Sequence, residues 1–333
     1  MTTVCNDVVL IFGRDGNILA QLPKIISVRT WNGKGTGTGG FDISAEDTNA
    51  TADILKLNNR IVVMSDVVPY WAGIVWPLPR ISSGVIRVEC AGAEAILAQR
   101  ETGTGKVTLT GTPGSIITQL LAIANASEAT GITVGTIVNT GDSVSREFTR
   151  VDICQAISRI CKEFSLIWYI TPTISGSSLT MTLNVQAQQG TAFTTKMEDL
   201  HNMFIRSLTS EGSMANKITY IGRGESGNSP PEYTATDTAS ISMYGLIEDS
   251  VSAMDTNIST LAPLAESVLA QRAYPRIKIE AIIVKSPFPR IGDLVEVVVK
   301  SQGLYNGYYD MTIDEVSYDA LENVEAVIMR EAL

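Results

Sequence analysis

The chain has 333 residues, a hydrophobic fraction of 44%, a charged fraction of 18% and a formal net charge of −10. That length accommodates two or three domains with cores of their own, and the balance of apolar and charged residues excludes a disordered chain. The acidic excess, with its basic residues scattered singly, excludes the phosphate-neutralising stripe that nucleic-acid binders gather.

The opening MTTVCNDVVLIFGRDG has no basic leader and places Asp7 inside its apolar stretch, so no secretory signal is expected. The longest apolar run, 67–79, is too short to cross a bilayer and carries three prolines, so no membrane span is expected. Residues Val8 to Leu22 predict a strand pair turned at Arg14-Asp15-Gly16-Asn17, where Asp-Gly supplies tight-turn chemistry. Lys24 to Trp31 predicts a further strand, followed by a glycine-rich loop and then GFDIS (40–44) as a strand. Asp53 to Leu57 predicts a helical turn that stops at Asn58-Asn59.

The stretch from Arg60 to Arg100 organises the rest. It reads as strand, sharp turn, apolar strand, loop, and a strand of strict alternation in Val85 to Cys90, before AEAILAQR starts a short helix. Alternation puts Val85, Arg87 and Glu89 on one side and Ile86, Val88 and Cys90 on the other, which describes a half-buried sheet whose outer face meets something else.

After Arg100 the pattern changes. Thr112-Pro113 is a helix start, with Thr as the cap and Pro at the first helical position, and Ile116, Ile117, Leu120, Leu121 and Ala124 follow at helical spacing. A strand over Ile132 to Val138, a helix through VDICQAISRICKEF (151–164), the strand SLIWYI (165–170) and a turn at Ser175-Gly176-Ser177 into SLTMTLNV (178–185) complete a small α+β unit.

From Gly190 strands return: AFTTKM, MFIRSLTS and NKITYIG, then an exposed loop at 222–231. Ser259 to Ala273 is the one helix predicted here, ending before Pro275. A meander of RIKIEAIIV, DLVEVVV, YYDMTIDEV and VEAVIM closes the chain, with turns at Asn306-Gly307 and Asp319 to Asn323. The fold class is mainly β, with two related β-barrels flanking an α+β insert: 1–101, 102–189 and 190–333.

Motifs for chemistry are mostly rejected. Gly35-Thr36-Gly37-Thr38-Gly39-Gly40 is a literal GxGxxG, but a strand follows it where a dinucleotide site needs a helix. Gly103-Thr104-Gly105-Lys106 imitates a phosphate loop with Val107 where Ser or Thr must hold magnesium and Arg100 where the first Gly belongs. Asp47, Asn49, Thr51 and Asp53 resemble half a calcium loop with Ala52 in place of Gly and Asn58 in place of the bidentate Glu. His201, the one histidine, lies two residues from Asp199, with no nucleophile elbow anywhere in the chain. Paired carboxylates stay open, because spatial pairing is unreadable in a sequence. Cys5, Cys90, Cys154 and Cys161 show no CxxC spacing and read as reduced thiols in preference to disulfides. Tyr70, Trp71 and Trp76 form the densest aromatic cluster, open to core packing or to subunit contact. No catalytic, cofactor-binding or metal-ligating residue is therefore assigned.

The order of motifs carries more than any one of them. GFDIS, DILKLNNRIVV (53–63), YWAGIV (70–75), VIRVECAGAEAILAQR (85–100), TPGSIITQLLAIAN (112–125), SLIWYITP (165–172), ANKITYIGRG (215–224), MYGLIED (243–249), the helix into RIKIEAII (261–283) and PRIGDLVEVVV (289–299) together resemble the tail hub proteins of long-tailed bacteriophages, also called baseplate hub or tail-tip proteins. The resemblance spans nearly the whole chain. It implies two barrels like the tail-tube subunit with an added domain between them, and a homotrimeric ring adapting a six-fold tube to a three-fold tip. It also implies a structural and non-enzymatic role without cofactors, in the tail tip of a virion assembled in the host cytoplasm. The expected neighbours are distal tail and tail-tube proteins, a spike or fibre, and a tape-measure protein. DNA would pass through the lumen without specific binding. Some relatives carry a peptidase or lysozyme-like extension, and none is expected after the last strand, which ends near Leu333. A tail-tip cell-wall hydrolase and a receptor- or carbohydrate-binding β module are the competing readings.

Overall fold

The computed structural model describes residues 7–33, 36–65, 68–139, 141–187, 196–211, 214–222, 229–253, 258–283, 290–319 and 324–332. Asp7–Phe12 (β1) and Ile18–Leu22 (β2) form the expected hairpin, followed by Ile25–Gly33 (β3) and Thr36–Ser44 (β4). Arg60–Ser65 (β5), Val68–Val75 (β6), Arg80–Ser82 (β7) and Val85–Gly92 (β8) lead to the short helix Ala95–Ala98 (α1).

The next part runs Lys106–Gly111 (β9), Pro113–Ser127 (α2), Ile132–Ile137 (β10), Val144–Thr149 (β11), Ile153–Glu163 (α3), Leu166–Ser175 (β12) and Ser178–Ala187 (β13). Met197–Glu198 (β14), Met203–Glu211 (β15), Lys217–Ile221 (β16), Glu232–Thr236 (β17), Thr238–Tyr244 (α4), Glu248–Ser252 (β18) and Ile258–Arg272 (α5) come after it. Arg276–Ile283 (β19), Leu294–Val299 (β20), Gly307–Asp319 (β21) and Val324–Glu331 (β22) close the chain.

The chain is mainly β, as expected, but its halves are not two closed barrels. Strands from both ends build one 14-stranded sheet in the order β15-β19-β22-β21-β3-β4-β8-β6-β5-β1-β2, with β7 on β8 and β20 on β21 and β14. The cause is the antiparallel ladder between β3 and β21, which pairs Asn32 with Val316 and Arg29 with Asp319. Backbone groups that a closed barrel would satisfy internally are satisfied across the two halves instead.

Two faces of the N-terminal strands carry two cores. Val9, Ile11, Ile61, Val63, Trp71 and Val88 pack inside the curl of the sheet. Leu10, Phe12, Val62, Ala72 and Ile74, on the opposite face of β1, β5 and β6, pack against α1 and the α+β unit with its Ile116, Leu120, Ile157 and Leu183. Strands covered on both faces read as unbroken apolar runs, which explains IVV at 61–63 and the near-continuous apolar β6. On β1, β5 and β6 the partner outside the sheet is thus the chain's own α+β unit, whereas Arg87 and Glu89, on the face of β8 expected to meet a partner, stay exposed.

Further contacts tie that unit down. Arg60, only 4% exposed, donates to the carbonyl of Thr130 at 2.7 Å. The β1–β2 turn pairs with the β12–β13 turn through Ile18 N to Ser177 O and Leu179 N to Gly16 O, both 2.8 Å. Gly16, at φ +84°, is needed there because a Cβ would lie 2.8 Å from the Leu179 carbonyl oxygen. The α2 start is as read: Thr112 caps and Pro113 opens the helix.

The C-terminal part holds two cores. Met203, Ile279, Val297, Ile313 and Met329 fill the large sheet's second half. A separate three-stranded sheet, β17-β16-β18, packs Ile218, Tyr220 and Ala235 on Leu261 and Ala265 of α5. The expectation of one helix is corrected by α4, whose N-cap Asp237 accepts from Ser240 N. Asn216, fully buried, organises this small unit by donating to Gly245 O at 2.7 Å and accepting from Ile247 N at 2.8 Å.

Candidate assembly interface

The glycine-rich segment that reads as a loop is largely strand. Thr36 to Gly40 belong to β4 and pair with β3 on one side, and from Thr38 onward with β8 on the other. Glycine is required because Trp71 of β6 lies flat beneath: a Cβ on Gly39 would stand 2.8 Å from its ring, and one on Gly73 2.2 Å. The dinucleotide reading fails on this geometry, while Gly35 lies outside the described residues. Lys106 likewise opens β9 and pairs with Glu147 at 2.7 Å, so no phosphate loop with a following helix exists there.

The other candidates serve the backbone. Asp199 is buried and accepts from Ser301 N at 2.9 Å and Ser301 Oγ at 2.5 Å, while His201 sits exposed in the adjoining turn. Asp47 accepts from Lys24 N and Asn49 N, anchoring a turn. Among the described residues no three His, Cys, Asp or Glu side chains converge as a metal site, and no helix is long and apolar enough to cross a membrane. Cys90, Cys154 and Cys161 are in no disulfide among the described residues, and burial pushes the latter two thiols up to about 12; Cys5 lies outside the described residues. The aromatic cluster divides, with Trp71 2% exposed in the core and Trp76 51% exposed.

What remains exposed is strand edge. Val85 to Cys90 and Leu294 to Val299 are paired on both sides: β8 lies between β4 on one side and β6 and β7 on the other, and β20 between β21 and the short β14. The sheet instead ends at β2 and β15, with β7 lying along β8. Each edge presents apolar side chains to solvent: Ile18 and Leu19 on β2, Ile81 on β7, which is 74% exposed, and Phe204 on β15. Large exposed apolar groups on strands that have a sheet neighbour on one side only, among the described residues, are the chemistry of strand-to-strand association.

The exposed face across the junction of the halves is charged but paired. Arg87 holds Asp42 at 2.9 Å and keeps that carboxyl below its usual range. Arg29 meets Asp319 at 3.8 Å, Arg80 meets Glu89 at 3.9 Å, and Trp31 Nε1 donates to Glu315 at 3.2 Å. The Arg29–Asp319 and Trp31–Glu315 contacts straddle the β3–β21 ladder. Sequence reading missed this junction because its partners lie almost three hundred residues apart along the chain.

No family model matches the chain, and no curated protein sequence matches it. Solved structures do. The prophage tail protein gp18 from Listeria monocytogenes superposes with a TM-score of 0.66 at 12% identity, over 98% of this chain and 94% of its own. The 43 kDa tail protein of prophage MuSo2 from Shewanella oneidensis gives 0.62 at 13% identity, over 97% of both chains. An E. coli component of the type VI secretion system, itself structurally similar to T4 phage tail proteins, gives 0.57 at 9% identity over 93% of this chain and 74% of its own. The chain has the fold of phage tail proteins.

Proposed function

We propose that the chain is a structural hub of a phage tail tip or baseplate, forming a homotrimeric ring. In that ring each chain supplies two tube-like halves, so three chains present six to a six-fold tube above and three to the tip below. The single observation behind this reading is the β3–β21 ladder: it fuses both halves into one sheet that still ends in open, apolar edges. Edges of this kind are satisfied when copies pair, and a closed ring leaves none. The β15 edge with Phe204 would meet the β7 edge with Ile81 on the next chain.

The paired face bearing Arg29, Asp42 and Arg87 would line the lumen. Every one of these cations sits beside a carboxylate, and the chain as a whole is acidic, so DNA in transit would find no basic stripe to hold it. The working division is 1–101 and 190–333 as the tube-like parts and 102–189 as the insert, its second boundary lying within 188–195, outside the described residues. Neighbours would be tail-tube and distal tail proteins, a spike or fibre and a tape-measure protein, met during assembly in the host cytoplasm. The role is non-enzymatic. Gold-labelled antibody against the chain, applied to intact particles, is expected to mark the tail tip. Label along the shaft or on the capsid contradicts the proposal.

A further inference from the structure

Where the two halves and the α+β unit meet, a cleft of about 420 Å³ opens, within the size range of small-ligand and side-chain receptors. Tyr70 and Trp71 of β6, Tyr169 of β12 and Tyr318 of β21 supply its aromatic walls. The Tyr70 and Tyr318 rings meet edge to face with centroids 5.4 Å apart, so both are held in place by each other. Three tyrosines and a tryptophan converge in a chain with only 6% aromatic residues, and they come from two strands of the large sheet and one of the insert.

One carboxyl group enters this aromatic setting. Glu94, which precedes α1, lines the cleft, and its Oε2 is packed so close to backbone that a Cβ on Gly92 would lie 2.4 Å from it. That oxygen is buried and accepts no hydrogen bond among the described residues, and the Trp71 Nε1, in the same wall, donates none. Buried polar atoms almost always find partners, so an unpaired carboxyl oxygen here marks a missing donor. Arg290 also lines the cleft, yet it forms no ion pair with Glu94 among the described residues. Burial pushes the Glu94 carboxyl up to about 7, because desolvation disfavours its charged form, and a cation placed beside it would favour that form again.

We infer that this cleft is a receptor for an arginine side chain of a neighbouring protein, its guanidinium lying among the three tyrosine rings and donating to the Glu94 carboxyl. Ring faces attract a cation, and the effect grows when the site is desolvated. A guanidinium also stacks on aromatic faces and brings several donors to one carboxylate, which an ammonium does less well. The net charge of −10 favours a basic partner surface. The inference rests on the proposed hub role only for the donor being a protein of the assembly; the chemistry of the cleft stands without it.

The test uses the full purified chain at pH 8 and three small probes in saturation-transfer NMR: the methylamides of N-acetyl-arginine, N-acetyl-lysine and N-acetyl-leucine. The arginine probe is expected to bind at least ten-fold more tightly than the leucine probe and more tightly than the lysine probe. Glu94→Gln should weaken arginine binding five-fold or more without lowering the melting temperature, because it removes a buried unpaired charge. Tyr169→Leu keeps the bulk, removes the ring, and should weaken binding as well. Equal binding of arginine and leucine probes overturns the inference, as does undiminished binding by both variants. Should Glu94→Gln fail to fold, Tyr169→Leu decides by the same measure. A tail tip that contains the chain in three copies, with no arginine preference in the cleft, would sink this inference and leave the hub role standing; the reverse pair of results would do the opposite.

Discussion

Arg146 and Glu163 show how much a single residue can carry in this fold. Both Arg146 Nε contacts to the carboxylate are 3.0 Å, the side chains are 6% and 1% exposed, and the Phe164 ring lies 5.9 Å from the guanidinium. Such a pair adds little over apolar packing, yet breaking it strands a buried charge. Glu163→Ala is therefore expected to cost about 3–5 kcal/mol in urea unfolding, while the double change Arg146→Met with Glu163→Leu recovers most of that. A loss below about 1 kcal/mol for the single change would contradict the burial. Glu325 presents the opposite case: it is 5% exposed, its Oε1 has no hydrogen-bond partner among the described residues, and burial pushes its carboxyl from 4.5 up to about 8. The folded state then holds a proton that the unfolded chain releases above about 4.5, so stability falls as pH rises from there toward 8, by about 1.4 kcal/mol for each unit of the shift. Glu325→Gln should flatten that slope in denaturation curves taken from pH 5 to 8; an unchanged slope would show that other groups set it.

At the scale of elements, legibility follows the range of the forces involved. The α2 start was readable because its cap uses Thr112, Pro113 and Ser115 within one turn. The alternation of β8 was readable because one face of that strand is buried and the other is not. Thr36 to Gly39 read as loop since four residues of alternating threonine and glycine carry no apolar strand pattern; the Trp71 ring that makes glycine necessary sits more than thirty residues away. Helix α4 escaped because it is short and buries only Ser240. The open edges are unreadable in any one strand, since edge status depends on which strands come to lie alongside. The observed β15 edge yields its own prediction. Phe204→Lys leaves the monomer's melting temperature within about 1 °C of the parent, because an exposed position contributes little to the core, yet blocks incorporation into tail tips when particles are assembled with the variant. Normal incorporation would move the subunit contact to another edge.

For the molecule as a whole, the order of motifs pointed to the phage tail proteins whose fold the chain shares, while the two closed barrels expected with it are one continuous sheet. Many of the motifs supply residues to the chain's cores, and the fold is shared with solved tail proteins at 9–13% identity. No amount of local pattern reveals that the two ends share a sheet, because the β3–β21 ladder is a long-range pairing whose residues suit many partners. That ladder also carries the proposed ring, because it holds the N- and C-terminal strands in one sheet at a fixed register. Its most direct test is a cryo-electron microscopy map of the assembled tail tip. The account predicts three copies in one ring, β15 of each beside β7 of the next, with Arg29, Asp42 and Arg87 facing the lumen. One copy or six, or that paired face turned outward from the axis, would contradict it.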